Sequence, residues 1–277
     1  MQENSWQIYK FGGSSLNNSD CILNVCNLIK ENSSQNLIVV VSAMAGVTDQ
    51  LVDYSESRNQ SILDKITDRY RVTINETIQE ESIHEALLEE FSNDLKTINE
   101  LAESYSEKSI KTEENQILGF GEIWSSRLIQ GVLNASKDQR DIHLFNPLEI
   151  ITLCKTEMGT NVDWEESKKL FSESLSDKSG VFIMAGFIAM SSDSIATNLG
   201  RNGSDYSASI MGSLAEAESV SIWTDTDGIM TADPNKIESA KTIEQMSYDE
   251  AVELAYFGAE VIHEKTMSPL IDKDIPI

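Results

Sequence analysis

A glycine-rich loop with one arginine and one aspartate, Asn198–Ala208, carries the clearest chemical signal in the sequence. It opens a segment with helical apolar spacing. Gly200 and Gly203 allow the backbone to approach a ligand closely, and the free N–H groups at a helix start favour an anion. Arg201 adds a planar fork that matches a carboxylate or a phosphate. On its own, the loop could also be an ordinary turn that caps a helix.

A second candidate lies at the end of the first predicted strand, residues 6–11. Lys10 stands in this strand, and the turn that follows contains Gly12, Gly13 and Ser14. The backbone N–H groups of such a turn suit phosphate oxygens, with the lysine as a point charge. The turn is neither a Walker A loop nor a dinucleotide fingerprint. Lys10 alone could equally be a solvated residue at a strand end.

A third candidate is the segment Gly119–Glu122, where two glycines interrupt a helix predicted to begin near Glu113. Glycines inside a helix cost stability, so they predict a kink or a close backbone approach. Glu122 beside the kink could accept an ammonium group, or it could be a solvated helix residue.

The elements that position these residues are typical of an α/β protein. A strand at 6–11, a helix at 20–30 and an apolar run at 36–42 form a β–turn–α–β unit. Ligands of such sheets bind beyond the carboxyl ends of the strands, so we expect Lys10 and Ser42 at one edge.

The rest of the chain alternates between predicted helices and strands. A polar, amphipathic stretch at about 58–114 is predicted to be a helical insert that flanks the sheet and supplies no obvious chemistry. Thr224 to Pro234 follow a strand end and suit either a nucleotide or simple turns. The other predictions are strands at 141–145, 149–153, 181–186 and 219–223, a hairpin through 191–194, helices at 163–174 and 246–256, and a helix after 263.

Composition and charge exclude several classes of protein. The chain has 277 residues and a net charge of −25, which argues against a nucleic-acid partner. No apolar run approaches the roughly 20 residues that a membrane span needs. The three cysteines have no metal-ligand spacing and fit a reduced compartment, so we expect a cytoplasmic protein without a membrane contact.

Several motifs, in order, resemble those of the aspartate kinase family, and most closely the kinase half of bifunctional aspartokinase–homoserine dehydrogenases. The match covers nearly the whole chain, and the loop at 200–208 is its most specific element. The matching segments are Lys10–Ser15, Ser42–Gly46 with Thr48, Gly119–Glu122, Met184–Phe187, Gly200–Ala208, Trp223–Asp225, Asp233–Pro234, Met246–Tyr248 and Phe257–Ala259.

The resemblance implies a three-layer α/β/α sandwich with an eight-stranded, mostly parallel sheet. It implies a single catalytic domain over 1–277, with a nucleotide-binding half at about 200–277 and without the family's C-terminal ACT-type regulatory region. It also implies transfer of the γ-phosphoryl group of ATP, with Mg²⁺, to the β-carboxylate of L-aspartate. The product would be 4-phospho-L-aspartate, in the biosynthesis of lysine, threonine and methionine, and a homodimer is expected.

The resemblance also assigns roles to individual residues. Lys10 would bridge phosphate oxygens and Asp205 would orient it, as the catalytic pair. The substrate aspartate would be bound by Ser42, Thr48, Glu122, Arg201 and Ser204, with Arg201 on its α-carboxylate and Glu122 on its α-ammonium. The nucleotide would be bound by Lys10, Gly12, Gly13, Ser14, Thr224, Asp225, Met230, Asp233, Asn235 and Lys236. No protein ligand to the metal is expected, since Mg²⁺ enters with ATP.

The chain departs from the family pattern in its nucleotide half. Met230 stands where an aromatic residue is usual, and Asn235 where an arginine is usual. Glu260 replaces a lysine, and Glu264 replaces a proline. Fewer cations next to a polyphosphate should weaken ATP binding unless Lys236 and Lys265 compensate. We expect activity with an altered ATP affinity.

Two alternatives to an aspartate kinase follow from the sequence. The first is another kinase of the same fold, acting on glutamate, acetylglutamate, carbamate or a nucleoside monophosphate. The second is a relative that binds an amino acid or a nucleotide without turnover.

Overall fold

The main sheet in this computed structural model has five parallel strands. The structure describes residues 5–104, 110–136, 138–157, 159–175, 178–224, 228–232, 236–256 and 263–277. In spatial order the strands are β3 (Ile142–Phe145), β6 (Gly180–Ala185), β2 (Asn36–Val41), β1 (Trp6–Phe11) and β9 (Ser219–Trp223). Ile8 pairs with Ile38, and Val39 pairs with Ile183.

The central strands are buried on both faces, as their continuous apolar sequences predict. All six residues of β2 and of β6 are buried. Their side chains alternate between two cores: Val39 and Val41 face one, and Ile38 and Val40 face the other. This alternation requires a helical layer on each side of the sheet.

Helices supply both outer layers, which makes the fold an α/β/α sandwich. On one face lie α1 (Ser19–Glu31), α2 (Val47–Ser57), α3 (Gln60–Thr77), α4 (Glu81–Glu103), α5 (Ile110–Leu118) and α6 (Phe120–Ala135). The other face is covered by α7 (Trp164–Leu175), α8 (Gly203–Ala215) and α10 (Glu264–Ile271), and α9 (Tyr248–Tyr256) packs against α10. No helix of the described ranges is long and apolar enough to cross a membrane.

Two antiparallel hairpins extend from the sandwich. They are β4 (Leu153–Thr156) with β5 (Gly159–Val162), and β7 (Ile188–Met190) with β8 (Ala196–Asn198). The second hairpin confirms the predicted turn at 191–194.

Three details differ from the sequence prediction. The predicted strand at 149–153 is wrong, because Pro147–Glu149 forms a 3-10 turn and the strand begins only at Leu153. The helix expected near Glu113 begins at Ile110. The eight-strand count is not confirmed, since the described residues place five strands in the main sheet.

The amide of Val220 in β9 donates to Pro276 O, so the last residues lie beside that edge strand.

Candidate functional site

The predicted site residues converge at the carboxyl ends of β1, β2 and β6. The turn after β1 and the loop after β2 lead into helices on one face of the sheet. The segment after β6 leads through the second hairpin to α8 on the other face. The starts of α2, α6 and α8 therefore surround the same edge, where their free N–H groups favour negatively charged ligands.

An ion pair between Lys10 and Asp205 joins the two faces at this edge. Lys10 is 8% exposed at the end of β1, and Asp205 lies in the first turn of α8. Lys10 Nζ is 2.5 Å from Asp205 Oδ1. A Cβ atom added to Gly12 would lie 3.5 Å from Lys10 Nζ, so the glycine leaves the ammonium group accessible from the turn. The pair holds a charged lysine in one place beside backbone amides.

The turn after β1 packs directly on the loop after β2. The Ala45 amide donates to Gly13 O over 3.1 Å, and the Ser42 amide donates to Phe11 O over 3.1 Å. A Cβ atom on Gly13 would stand 2.9 Å from Ala43 O, a distance that side chains do not tolerate. Glycine is therefore required for this approach. The two loops form one surface.

The remaining predicted residues of these loops lie close by in sequence. Ser14 is exposed and starts a 3-10 turn, Ser14–Leu16. Ser42 is half-buried directly after β2, and Thr48 is half-buried in the first turn of α2. Gly46 caps α2 at a φ of 77°, a conformation that favours glycine.

Glu122 is a buried carboxylate next to these loops. It is 3% exposed in the first turn of α6, and its Oε2 has no hydrogen-bond partner among the described residues. Burial raises the pKa of Glu122 from 4.5 to about 8, partly offset by hydrogen bonds from the amides of Ala43 and Glu122 and by the charge of Lys10. An added Cβ on Gly121 would be 2.6 Å from Ala43 Cβ, so the predicted close approach is confirmed, and Gly119 separates α5 from α6.

The Arg201 loop has the left-handed backbone that its glycines predict. Gly200 has a φ of 76° and Asn202 a φ of 53°, and Asn198 Oδ1 accepts from the Gly200 amide. Arg201 is exposed and forms no ion pair with a described residue.

Ser204 holds the start of α8 against the strand β6. A Cβ atom on Gly186 would be 2.9 Å from Ser204 Cα and 3.0 Å from its Oγ. The Ser207 hydroxyl oxygen accepts from the Phe187 amide over 3.0 Å. These contacts fix the helix start that carries Asp205.

The predicted nucleotide residues are only partly within the described ranges. Thr224 is exposed after β9, Met230 forms an antiparallel bridge with Thr242, and Lys236 is exposed. Asp225, Asp233, Asn235 and Glu260 lie outside the described residues.

Lys265, which the sequence suggested only as a compensating cation for ATP, contacts the Arg201 loop. Its Nζ donates to Leu199 O over 2.8 Å and lies 4.6 Å from the centre of the Tyr206 ring. Desolvation lowers the pKa of Lys265. A cavity of about 240 Å³ adjoins it, lined by both this loop and the β4–β5 hairpin.

Arg69 and Tyr70 of α3 also reach the site loops, although their helix belongs to the stretch predicted to supply no chemistry. Arg69 donates to Ala45 O, and the Tyr70 hydroxyl donates to Gly121 O. The amphipathic pattern of α3 identified its buried face but could not indicate which loops that face contacts.

The described ranges contain no group of three His, Cys, Asp or Glu side chains that could hold a metal ion.

Fold and site together define an α/β/α sandwich protein in which Lys10, Asp205 and Glu122 lie at the carboxyl ends of the strands, where ligands of such sheets bind. Residues 5–277 match the model of the amino acid kinase family. The chain belongs to the amino acid kinase family.

Known relatives agree with this assignment. The chain is 35% identical over 98% of its length to the chloroplastic bifunctional aspartokinase/homoserine dehydrogenase of Daucus carota, of which it spans 30%. It is similar to E. coli aspartokinase III in complex with aspartate and ADP, with a TM-score of 0.85 and 27% identity, over 97% of this chain and 60% of that one. The lysine and aspartate complex of that enzyme gives a TM-score of 0.83 at 28% identity, with the same coverage.

Proposed function

We propose that this chain is an aspartate kinase, which transfers the γ-phosphoryl group of MgATP to the β-carboxylate of L-aspartate. One observation carries the proposal: a buried lysine paired with Asp205 lies at the same strand edge as a buried carboxylate, Glu122, that has an unpartnered oxygen. The lysine suits a phosphate, and the carboxylate suits an ammonium group. A small zwitterionic acceptor that receives a phosphoryl group uses both.

The reaction needs no catalytic base, because a carboxylate is already ionised at neutral pH. One β-carboxylate oxygen attacks the γ-phosphorus, the bond from that phosphorus to the β,γ-bridging oxygen breaks, and ADP leaves. Charge on the transferring group is stabilised by the Lys10 ammonium and by the amide of Gly13, whereas the Gly12 amide donates to Trp223 O over 3.4 Å. Asp205 keeps Lys10 in place. The products are 4-phospho-L-aspartate and ADP.

The acceptor is oriented by its two α-substituents. Glu122 binds the α-ammonium group, and Arg201 binds the α-carboxylate through a bidentate contact. The side chains of Ser42, Thr48 and Ser204 complete this pocket. Orientation by these groups brings the β-carboxylate towards the γ-phosphate, the main source of rate acceleration in such a site.

The nucleotide is proposed to lie beside β9. Its binding residues in the described ranges are Ser14, Thr224, Met230 and Lys236, together with the Lys10–Gly13 segment. Asp225, Asp233 and Asn235 are proposed to complete the nucleotide site. Mg²⁺ enters with ATP and neutralises phosphate charge.

The relatives support this substrate pair, because the similar structure of E. coli aspartokinase III is a complex with aspartate and ADP. By the same resemblance we propose that 1–277 is one catalytic domain with its nucleotide-binding half at 200–277, that it acts as a homodimer, and that it works in the cytoplasm in amino-acid biosynthesis.

The decisive test is hydroxamate formation from L-aspartate, MgATP and hydroxylamine, with ADP release measured in parallel. We expect hydroxamate from the wild type and a loss of about 100-fold or more in Lys10→Ala. Lys169→Ala is the matched control, because Lys169 is an exposed cation that pairs with Glu166 of its own helix. Replacing aspartate with L-glutamate in this assay tests the alternative that the chain is another amino-acid kinase of the same fold. Aspartate binding without ADP release from the wild type would refute the proposed activity and favour a binding protein.

A further inference from the structure

Two neighbouring residues of α3 contact three segments of the proposed phosphate and acceptor sites. These segments are the turn 12–17, the loop 42–46 and the start of α6. Arg69 contacts the first two, and Tyr70 contacts the third.

The Arg69 guanidinium group bridges the two loops. Its Nη1 donates to Ala45 O over 2.7 Å, and its Nη2 donates to Asn17 O over 2.8 Å and to Asn17 Oδ1 over 2.7 Å. Ala45 is also bonded through its amide to Gly13 O. The planar fork of an arginine spans two acceptors at a fixed separation, which a lysine cannot do.

The Tyr70 hydroxyl fixes the turn that carries Glu122. It donates to Gly121 O over 3.1 Å and lies 3.3 Å from Ser125 Oγ. Burial raises the pKa of Tyr70, so the hydroxyl stays a donor. The ring packs against the Phe91 and Trp124 rings, which leaves the side chain little freedom to move.

We propose that Arg69 is a positioning residue for phosphoryl transfer, which sets the spacing between the phosphate-binding turn and the acceptor loop, with Tyr70 as the second contact. The inference rests on the proposed function. Arg69 touches no reacting atom and acts through Ala45 and Asn17. A displacement of about 1 Å between donor and acceptor can cost roughly 100-fold in rate, so the bridge matters for the reaction even if it adds little to stability.

The test compares Arg69→Ala with Arg71→Ala in the hydroxamate assay. Arg71 is the matched control, since it is an exposed arginine on the same helix, two positions from Arg69. We expect kcat/KM for aspartate to fall about 10- to 100-fold in Arg69→Ala, with both a higher KM and a lower kcat. Arg71→Ala should match the wild type.

Rescue separates positioning from general stability. Added guanidinium ion, against sodium chloride at equal ionic strength, should restore part of the Arg69→Ala activity, and Arg69→Lys should be intermediate because it retains the charge but not the fork. Tyr70→Phe should raise the KM for aspartate while the ring packing is kept.

Two results would overturn the inference while the proposed function stands. The first is that Arg69→Ala and Arg71→Ala have the same kinetics. The second is that Arg69→Ala loses activity in proportion to its fall in Tm and that guanidinium does not restore this activity. A wild type without hydroxamate would instead refute the proposed function. In that case the role of Arg69 is tested by measuring aspartate affinity by calorimetry. A weaker affinity in Arg69→Ala supports a positioning role, and an unchanged affinity rejects it.

Discussion

Glu122 should make aspartate binding depend on pH, because the free site and the occupied site hold this carboxyl in different protonation states. Burial raises its pKa to about 8, so Glu122 is mostly protonated at neutral pH in the empty site. An ammonium ligand requires the ionised form. Substrate binding should therefore displace a proton.

The size of the effect follows from that pKa. The protonated fraction is about 0.99 at pH 6 and about 0.5 at pH 8. If only the ionised form binds the ammonium group, the apparent Kd for aspartate should fall about 50-fold between these two pH values. Each binding event should release about one proton at pH 6 and about half a proton at pH 8.

Calorimetric titration of aspartate in two buffers with different ionisation enthalpies measures this proton release directly. Glu122→Gln should abolish the release and weaken binding at pH 8. Arg201→Ala is the matched control, since it should weaken binding but leave the proton release intact. Binding at pH 6 without proton release would falsify the assignment of Glu122 to the ammonium group.

Four further outcomes are expected. Lys10→Ala should lower kcat about 100-fold or more while aspartate binding persists, and unchanged kcat would remove Lys10 from the reaction. Gly186→Ala should lower both Tm and activity, because the new Cβ would be 2.9 Å from Ser204 Cα; a native Tm with full activity would show that α8 can move away. Lys236→Ala should raise the ATP KM roughly fivefold, as expected for about 1 kcal/mol, and leave that of aspartate unchanged; an unaltered ATP KM would exclude compensation by this lysine. Without ligand, the free energy of unfolding measured in urea should fall by up to about 1.4 kcal/mol per pH unit between pH 4.5 and about 8. The reason is that the folded state keeps the Glu122 proton that the unfolded chain releases. Glu122→Gln should flatten this slope.

The sequence predicted the central strands well, because their signal is local. The run Asn36–Val41 is continuously apolar, and burial on both faces is what such a run requires. The strand placed at 149–153 failed for an equally local reason: Pro147 lacks an amide proton and favours the 3-10 turn that the structure contains. The total strand number came from the resemblance, and the described residues do not confirm it.

The sequence predicted residues of the candidate site only where they belong to a recognisable motif. Lys10 and Asp205 were paired through the resemblance, and the structure confirms the contact. The sequence did not predict the roles of Arg69 and Tyr70. Their partners Ala45 and Gly121 lie 24 and 51 positions away in the chain, and contacts over such separations leave no local signal in the sequence. A polar residue on an amphipathic helix looks the same whether it faces water or a loop carbonyl.

The raised pKa of Glu122 also resolves an electrostatic conflict in this acidic chain. An ionised Glu122 would compete with ATP phosphates for Lys10, since the two side chains interact electrostatically. A protonated Glu122 does not compete for Lys10, so the site without aspartate can accept the nucleotide anion. On the proposed function, the ammonium group of aspartate would take the place of this proton, so the carboxylate would be neutralised with and without substrate. Lys10, which is paired with Asp205, would then face no second negative charge from Glu122 when it binds phosphate in this protein of net charge −25.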